Sequence, residues 1–223
     1  MRSLFYIFVA ALCSGATAQA GIVLSFEGTF SSDDNIQYFQ VDLGPNSSLT
    51  VTTFGYAGGT NGNGMVIPAG GFDPALALFD PSGNLIEVND DAPCSIVNMD
   101  PVTGECFDSV ISQTDLTTPG IYTVALTESP DLAQDNLGQP DTFPYPPGTG
   151  NFTCAMYGGA SATSPFCDIT GDQRDGNWAL DISGSNLISA TAVPEPASFI
   201  PVLAGIAMLA VLRRKALARE PRL

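Results

Sequence analysis

The sequence predicts an all-β protein, folded as an antiparallel β-sandwich between two targeting segments. Its central part consists of short stretches rich in β-branched and aromatic residues, which is the composition of strands. Turn-forming glycine, proline, asparagine and aspartate separate these stretches, and no stretch keeps a capped 3.6-residue period. Many short strands joined by turns are typical of two packed antiparallel sheets.

Nine strands are predicted in chain order. The clearest is 47–56, where apolar and polar residues alternate with a period of two. The segments 74–80 and 84–90 are predicted to form a hairpin around Pro81-Ser82-Gly83. The remaining strands are predicted at 21–30, 36–43, 108–116, 119–129, 177–184 and 186–193.

Two long connections interrupt the strands. The first, 57–71, is rich in glycine, and the second, 131–176, is a loop-rich insert. Long connections of this kind tend to be functional or disordered. The insert has four aromatic residues, for which a contact surface and a cover over the core both stay open: Phe143, Tyr145, Phe152 and Tyr157.

The chain begins with a predicted secretory signal peptide, 1–20. Arg2 precedes a short apolar run, and Ala18-Gln19-Ala20 forms a cleavage site. We expect this segment to form a signal helix; a buried first helix is the alternative. Its removal leaves one domain over 21–192, which is long enough for a single core.

The domain is strongly acidic. It contains 21 acidic residues, and Arg174 is its only basic residue. This balance argues against nucleic acid as a partner, since cationic contacts to phosphate dominate that binding. It argues equally against an anionic membrane surface. It suits a secreted protein or one that binds calcium.

Four cysteines remain after the signal peptide: Cys94, Cys106, Cys154 and Cys167. An even count in an exported chain indicates two disulfides, and four cysteines allow three pairings. We favour the local pairs 94–106 and 154–167, since each closes a short loop. A zinc site is the alternative, although the chain has no CxxC pair and no histidine.

The sequence predicts no catalytic residue, and we expect a protein that is not an enzyme. Histidine is absent, the domain has no lysine, and the common nucleophile and phosphate-loop motifs are missing. A secreted glycoside hydrolase that uses a pair of carboxylates is the alternative. The glutamates of this domain, however, are scattered over strands and loops at positions 27, 87, 105 and 128.

Calcium is the candidate cofactor, because it prefers carboxylate and carbonyl oxygens from loops. Asp33 and Asp34 lie between the first two strands, and Asn89, Asp90 and Asp91 end the hairpin. A third group has a less suitable spacing and consists of Asp168, Asp172, Asp175 and Asn177. Turns in which Asp and Asn side chains bind their own backbone are the alternative for all three groups.

The middle of the chain resembles the bacterial pre-peptidase C-terminal domain. The likeness lies in GGFDPALALFDPSGNLIEVNDDA (70–92) and DSVISQTDLTTPGIYTVALTES (108–129), at positions 73, 78–80, 83, 89–91 and 120–122. It implies a jelly-roll-like sandwich, and some members bind calcium and attach secreted enzymes to matrix or polysaccharide. Among the candidate calcium ligands we therefore include Asp73, the aspartate before the strand. The chain departs from the family in an additional loop, which Cys94 and Cys106 would close.

The C-terminal segment, 193–223, resembles the PEP-CTERM sorting signal. Val193-Pro194-Glu195-Pro196 opens this segment, 17 uncharged residues lie between Glu195 and Arg213, and the basic cluster Arg213-Arg214-Lys215 follows. The likeness implies an exosortase-type processing enzyme as a partner. A helix of 17 residues is about 25 Å long against about 30 Å of hydrocarbon, so it spans a membrane only at the short limit. We expect a single transmembrane helix that is removed; a permanent anchor is the alternative.

The segment 166–182, which precedes this tail, also resembles exported proteins with no assigned activity. Taken together, the sequence predicts an exported protein that crosses the inner membrane and is anchored there until it is processed. It would then act at the cell surface or in the extracellular matrix, as a binding or structural protein. Extracellular polysaccharide is its candidate ligand, with calcium assisting.

Overall fold

A computed structural model describes residues 22–158 and 164–194 of the 223-residue chain. The regular secondary structure of this part is predominantly β-strand, and the hydrogen-bonded strand pairs are antiparallel. In chain order the strands are β1 (Ile22–Thr29), β2 (Gln37–Leu43), β3 (Ser47–Thr53), β4 (Gly59–Thr60), β5 (Val66–Ile67), β6 (Pro74–Phe79), β7 (Leu85–Asn89), β8 (Val110–Leu116), β9 (Gly120–Glu128), β10 (Phe166–Cys167), β11 (Gln173–Arg174), β12 (Asn177–Gly184) and β13 (Leu187–Val193).

The nine longer strands form two sheets. One sheet has the order β1-β12-β3-β8, and the other has the order β13-β2-β9-β6-β7. These strands are the nine predicted from the sequence, with ends that differ by up to three residues. The predicted all-β class and antiparallel pairing are therefore confirmed. The glycine-rich connection 57–71 was expected to be a loop throughout, but it contains the short β4–β5 hairpin.

The main core lies between the two sheets. β3 alternates buried and half-buried residues along its whole length, so its apolar side chains Leu49 and Val51 face the core. Phe39 and Val41 of β2 meet them from the opposite sheet. The period-two pattern in the sequence therefore correctly predicted which face of β3 is buried.

The insert 131–176 covers the outer face of the five-stranded sheet. Phe143 is buried against Phe79 and Tyr38, at ring-centroid distances of 6.5 Å and 6.4 Å. It belongs to a second apolar cluster with Ala77 and Ala125 of β6 and β9. Because both faces of β6 are covered, all six of its residues are buried. Phe143 is therefore a cover over the core rather than an exposed contact.

Both favoured disulfides are present, Cys94–Cys106 and Cys154–Cys167. The second joins a single π-helical turn, Cys154–Gly158, to β10. Within 22–158 and 164–194, no helix is both long and apolar enough to cross a membrane. The predicted signal helix, the predicted transmembrane helix and the sorting residues from Glu195 onward lie outside the described residues, whereas Val193 ends β13.

Candidate functional site

Carboxylates gather at one end of the sandwich, where the insert joins the sheets. β6 begins at this end, and β7 and β9 finish there. The connection between β1 and β2 also lies there, since Gln37 pairs with Leu126 near the end of β9. Antiparallel pairing thereby brings together acidic residues that are far apart in the sequence.

Glu128 is the most deeply buried of them. It is the last residue of β9 and pairs with Pro74, the first residue of β6. Since alternate residues of a strand face the same side, Glu128 continues the inward-facing row of Val124 and Leu126. Its exposed fraction is 0 %, and neither of its carboxylate oxygens has a hydrogen-bond partner among the described residues.

Asp73 and Asp90 flank the end of β9. The main-chain oxygen of Asp73 accepts a hydrogen bond from Ser129 N at 2.8 Å. The Ser129 hydroxyl donates to Asp90 Oδ2 at 3.1 Å. For Oδ1 of Asp73 and Oδ1 of Asp90, no partner is present in the described part of the chain. The residue after Glu128 thus ties the two aspartates to the end of β9.

Asp33 connects the same end to the insert, and Asp131, the first residue of the insert, binds within it. Asp33 Oδ2 accepts from the main-chain nitrogen and the hydroxyl of Thr153, at 2.8 Å and 2.9 Å. Asp131 Oδ1 accepts from Tyr145 N at 2.8 Å. The second oxygen of each carboxylate is buried and finds no partner within 22–158 and 164–194. Together with the oxygens of Asp73, Asp90 and Glu128 these are six atoms, which we call the open carboxylate oxygens.

Burial and like charge both oppose ionisation in this cluster. Burial raises the pKa of Glu128 well above its ordinary value, and the neighbouring charges of Asp73 and Asp33 raise it further. Burial likewise raises the pKa of Asp73, with Asp90 as the largest charged contributor. Burial also raises the pKa of Asp131, to about 7. The cluster therefore favours a bound positive charge or protons.

The one basic residue of the domain is engaged elsewhere. Arg174 forms an ion pair with Asp100, with a nitrogen–oxygen distance of 3.0 Å, and its guanidinium lies over the ring of Tyr56. In the part of the chain that the structure describes, no three His, Cys, Asp or Glu side chains are grouped so that they could hold a metal ion. Among the described residues, the acidic cluster therefore has no arginine partner and no three side chains arranged to bind a metal ion.

The six predicted calcium ligands differ in whether their side chains have an oxygen without a hydrogen-bond partner. Asp33, Asp73 and Asp90 contribute open carboxylate oxygens. Asp34 Oδ2 instead accepts from two main-chain nitrogens of the insert, those of Gly148 at 2.6 Å and Gly150 at 2.8 Å. Asn89 Oδ1 accepts from the main-chain nitrogen of β8's first residue at 2.8 Å, and Asp91 is exposed.

The third acidic group forms a local turn. Asp168 Oδ1 accepts from the main-chain nitrogens of Thr170 and Asp172, both at 3.0 Å. Its Oδ2 accepts from the hydroxyl of Tyr56 at 2.8 Å. Asp175 Oδ1 similarly accepts from Asn177 N. These contacts match the alternative in which Asp and Asn side chains bind turn backbone.

Sequence reasoning missed Glu128 and Asp131 as members of the cluster. The glutamates looked scattered because their neighbours in space are distant in sequence. A signal for Glu128 was nevertheless present, because it falls on the same alternating positions as Tyr122, Val124 and Leu126. A charged residue on the buried row of a strand requires a partner or a function.

A separate cleft opens on the four-stranded sheet. Its volume is about 350 Å³, and it lies between Trp178 of β12 and Val66 of β5. The rim includes Thr29, whose hydroxyl donates to Asn177 Oδ1 at 2.8 Å. Of the described residues that line the cleft, Glu27 alone is acidic.

No protein-family model matches this chain, and no curated protein sequence matches it.

Proposed function

We propose that the chain is an exported, non-catalytic protein of the cell surface or extracellular matrix, which binds exopolysaccharide with the assistance of calcium. The observation that carries this proposal is the set of six open carboxylate oxygens buried at one end of the sandwich. Buried carboxylates of this kind require compensation. A hard cation that prefers oxygen ligands supplies it and is plentiful outside cells.

Export and sorting belong to the same proposal. The two disulfides support an oxidising compartment, since such bonds persist in exported proteins. The signal peptide and the PEP-CTERM-like tail would direct the chain across the inner membrane to an exosortase-type enzyme. β13 ends at Val193, so the sorting motif begins where the sandwich ends. A processing enzyme would therefore cut next to the domain without opening a sheet.

The jelly-roll-like connectivity of the proposed module is supported by the order of the strands. Successive long strands β1, β2 and β3 alternate between the two sheets, as do β7, β8, β9 and β12. Two four-stranded sets joined in this way, with β13 added at one edge, correspond to the double-sheet arrangement of jelly rolls. This supports the resemblance to the pre-peptidase C-terminal domain.

The cleft beside Trp178 supports a binding role. Its volume falls in the range of small-ligand sites, and polar residues such as Thr29 and Asn177 line it. A glycoside hydrolase would need two carboxylates facing one cleft, about 5–10 Å apart. Glu27 is the one acidic residue among the described residues that line the cleft. The cleft therefore favours a binding role over a hydrolase, which needs a pair of carboxylates.

A sedimentation assay tests the function. The full chain is mixed with exopolysaccharide from a bacterium that exports such proteins, either in EGTA or in about 5 mM calcium, which exceeds the roughly 0.1–1 mM dissociation constants of extracellular calcium sites. We expect retention with calcium, weaker retention in EGTA, and reduced retention for Glu27→Ala but not for the exposed Asp115→Ala. Equal amounts in the pellet with and without polysaccharide would contradict the binding role.

Mass spectrometry of the protein recovered from the producing cells tests the processing. We expect a mature chain that begins at Gly21 and ends close to the Val193-Pro194-Glu195-Pro196 motif. A mature peptide that extends through Leu212 would show that the apolar segment is kept as an anchor.

A further inference from the structure

The cleft on the four-stranded sheet has two unlike walls. Its polar wall consists of Glu27, Thr29 and Asn177, all of them exposed. Alternate residues of a strand share a face and Thr29 pairs with Asn177, so these three side chains lie together on the face of β1 and β12 that points away from the core. The opposite wall is apolar and consists of Val66 and Pro68, which are also exposed. A ligand that fits both walls has an apolar face and a polar edge.

The polar wall offers hydrogen-bond acceptors. The Thr29 hydroxyl donates its single hydrogen to Asn177 Oδ1 at 2.8 Å, so its lone pairs remain for a ligand. Asn177 Nδ2 in turn donates to Asp175 Oδ2 at 2.9 Å. The carboxylate of Glu27 has no hydrogen-bond or ion-pair partner among the described residues. Because an ionised carboxylate only accepts hydrogen bonds, the wall favours a ligand that is rich in donors.

The charges around the cleft are acidic. Besides Glu27 in its lining, Asp175 and Asp181 flank the part of β12 that lines it. The one basic residue of the domain, Arg174, is engaged in a buried ion pair. A cleft with charges of one sign concentrates ligands of the opposite sign and repels those of the same sign. A positively charged ligand is therefore favoured over a carboxylated one.

We infer that this cleft binds the amino sugars of a polysaccharide that carries free amino groups, with the ammonium group against Glu27. This inference rests on the proposed polysaccharide-binding function and specifies the chemical class of the ligand. The C–H face of a sugar ring would pack on Val66 and Pro68, and a sugar hydroxyl would donate to Thr29. The cleft volume of about 350 Å³ suits a short stretch of such a polymer.

Hydrogen bonds fix the apolar wall to the sheet. At the tip of the β4–β5 hairpin, Gly62 N donates to Asp181 Oδ2 at 2.7 Å. At the base of the hairpin, the main-chain oxygen of Gly58 accepts from Asn98 Nδ2 at 2.8 Å. The two walls thus keep their positions without a ligand, and a preformed site reduces the entropy that binding costs.

Isothermal titration calorimetry with defined oligosaccharides tests the cleft. The full chain, with its disulfides intact, is titrated in EGTA at about pH 6, below the pKa of an α-amino group. The probes are 1,4-linked tetramers of glucosamine, of N-acetylglucosamine and of galacturonic acid. We expect the glucosamine tetramer to bind at least about five-fold more tightly than the acetylated tetramer, which corresponds to one well-placed exposed ion pair. High salt should reduce this preference, and the galacturonic acid tetramer should not bind.

Two substitutions relate the binding to the two walls. Glu27→Gln should weaken binding of the glucosamine tetramer by about three- to five-fold and leave binding of the acetylated tetramer unchanged. Val66→Ser should weaken both tetramers by the same factor, because it removes apolar contact and no charge. Both positions are exposed, so both variants should fold, as circular dichroism checks. Asp115→Asn, on the opposite edge strand of the same sheet, is the matched control and should bind as the wild type does.

Several outcomes would overturn the inference. One is equal affinity for the glucosamine and acetylated tetramers. Another is a preference that Glu27→Gln leaves unchanged, since the ammonium group would then bind elsewhere. Tetralysine that binds as tightly as the glucosamine tetramer, with the same loss in Val66→Ser, would show that the ligand is a basic peptide.

The calorimetry and the sedimentation assay together separate this inference from the proposed function. If no tetramer binds but the protein sediments with exopolysaccharide, the amino-sugar assignment is wrong and the binding function stands. If the glucosamine tetramer binds but exopolysaccharide does not, the cleft assignment stands and the proposed function is wrong. If neither binds, both are wrong.

Discussion

Arg174 illustrates how a single residue stabilises the junction between the insert and the sheets. Its Nε donates to the main-chain oxygen of Gly71 at 2.9 Å, and one terminal nitrogen donates to Tyr56 O at 2.7 Å and Asp100 Oδ2 at 3.0 Å. Its guanidinium carbon lies 3.8 Å from the centre of the Tyr56 ring. The side chains of Arg174 and Asp100 have exposed fractions of 5 % and 1 %. Arg174, the one basic residue of the domain, therefore has a structural role.

Arg174→Met should lower the free energy of unfolding by about 3–5 kcal/mol, because it leaves the Asp100 carboxylate buried and unpaired. Urea unfolding at pH 7 measures this loss. The double variant Arg174→Met with Asp100→Asn is the control, and we expect it to be more stable than Arg174→Met alone, since the unpaired charge is gone. Equal stability of the single and double variants would contradict the ion-pair explanation.

The ion pair should also make part of the stability depend on pH. Burial raises the pKa of Asp100, but hydrogen bonds from Thr103 N, Arg174 and Val102 N outweigh burial, so the pKa lies below its ordinary value. Asp108 and Glu128 also interact with the charge of Arg174, and Asp168 accepts a hydrogen bond from the Tyr56 hydroxyl. A lowered folded-state pKa stabilises the protein above the unfolded-state pKa of about 3.9, and this stabilisation disappears as the pH falls through the folded-state value.

We therefore expect the difference in unfolding free energy between the wild type and Asp100→Asn to be constant from pH 7 to about pH 5 and to shrink below about pH 4. Urea unfolding at pH 7, 5 and 3 checks this. A difference that grows as the pH falls would mean that Asp100 acts in its protonated form.

At the scale of elements, the pairing of β1 with β12 depends on a glycine opposite a tryptophan. Gly28 pairs with Trp178. A Cβ atom at Gly28 would lie 2.4 Å from a ring carbon of Trp178. The ring has little room to move, because it packs at centroid distances of 6.1 Å from Phe30 and 5.8 Å from Phe39. Position 28 therefore requires a glycine, because a larger side chain would overlap the Trp178 ring.

Gly28→Ala should lower the unfolding free energy by about 1–3 kcal/mol, the usual cost of overpacking a core. The double variant Gly28→Ala with Trp178→Phe should recover part of this loss, because the smaller ring leaves room for the methyl group. Chemical denaturation of both single variants and the double variant measures the coupling. Strictly additive effects would show that the contact between these two side chains is not the cause.

At the scale of the whole molecule, the two disulfides have different consequences although their loops are of nearly equal length. Cys94 and Cys106 are separated by 12 residues, and Cys154 and Cys167 by 13. Cys154–Cys167 secures the insert, which also reaches the sandwich through the bonds of Thr153 to Asp33, and Tyr145 binds Asp131 at the start of the insert. Cys94–Cys106 closes a satellite apolar cluster with Ala92 and Val97.

Replacing either pair with serine should therefore cost a similar amount, roughly 3 kcal/mol by the chain-entropy account. Only the Cys154/Cys167 variant should in addition lose hydrogen-exchange protection at the amides of Thr153 and Tyr145. The Cys94/Cys106 variant is the matched control. Equal protection of those two amides in both variants would show that the insert is held without its disulfide.

The sequence by itself determined the features that depend on neighbours along the chain. The alternation in 47–53 shows which face of β3 is buried, Asp80 and Gly83 specify the hairpin, and short separations predict both disulfides. Asp80 Oδ1 accepts from Ser82 N and Asn84 N, and Gly83 has a φ of 83°, as that turn requires. These contacts span few residues, so local composition and periodicity are sufficient to predict them.

Only the tertiary structure decided how the acidic residues are used. Asp33, Asp73, Asp90, Glu128 and Asp131 come from four separate parts of the chain, and strand pairing brings them to one end of the sandwich. The sequence indicated three of these five as candidates. It could not distinguish them from Asp34, Asn89 or Asp168, because the number of hydrogen-bond donors that reach each carboxylate depends on how distant strands pair and how the insert packs across them.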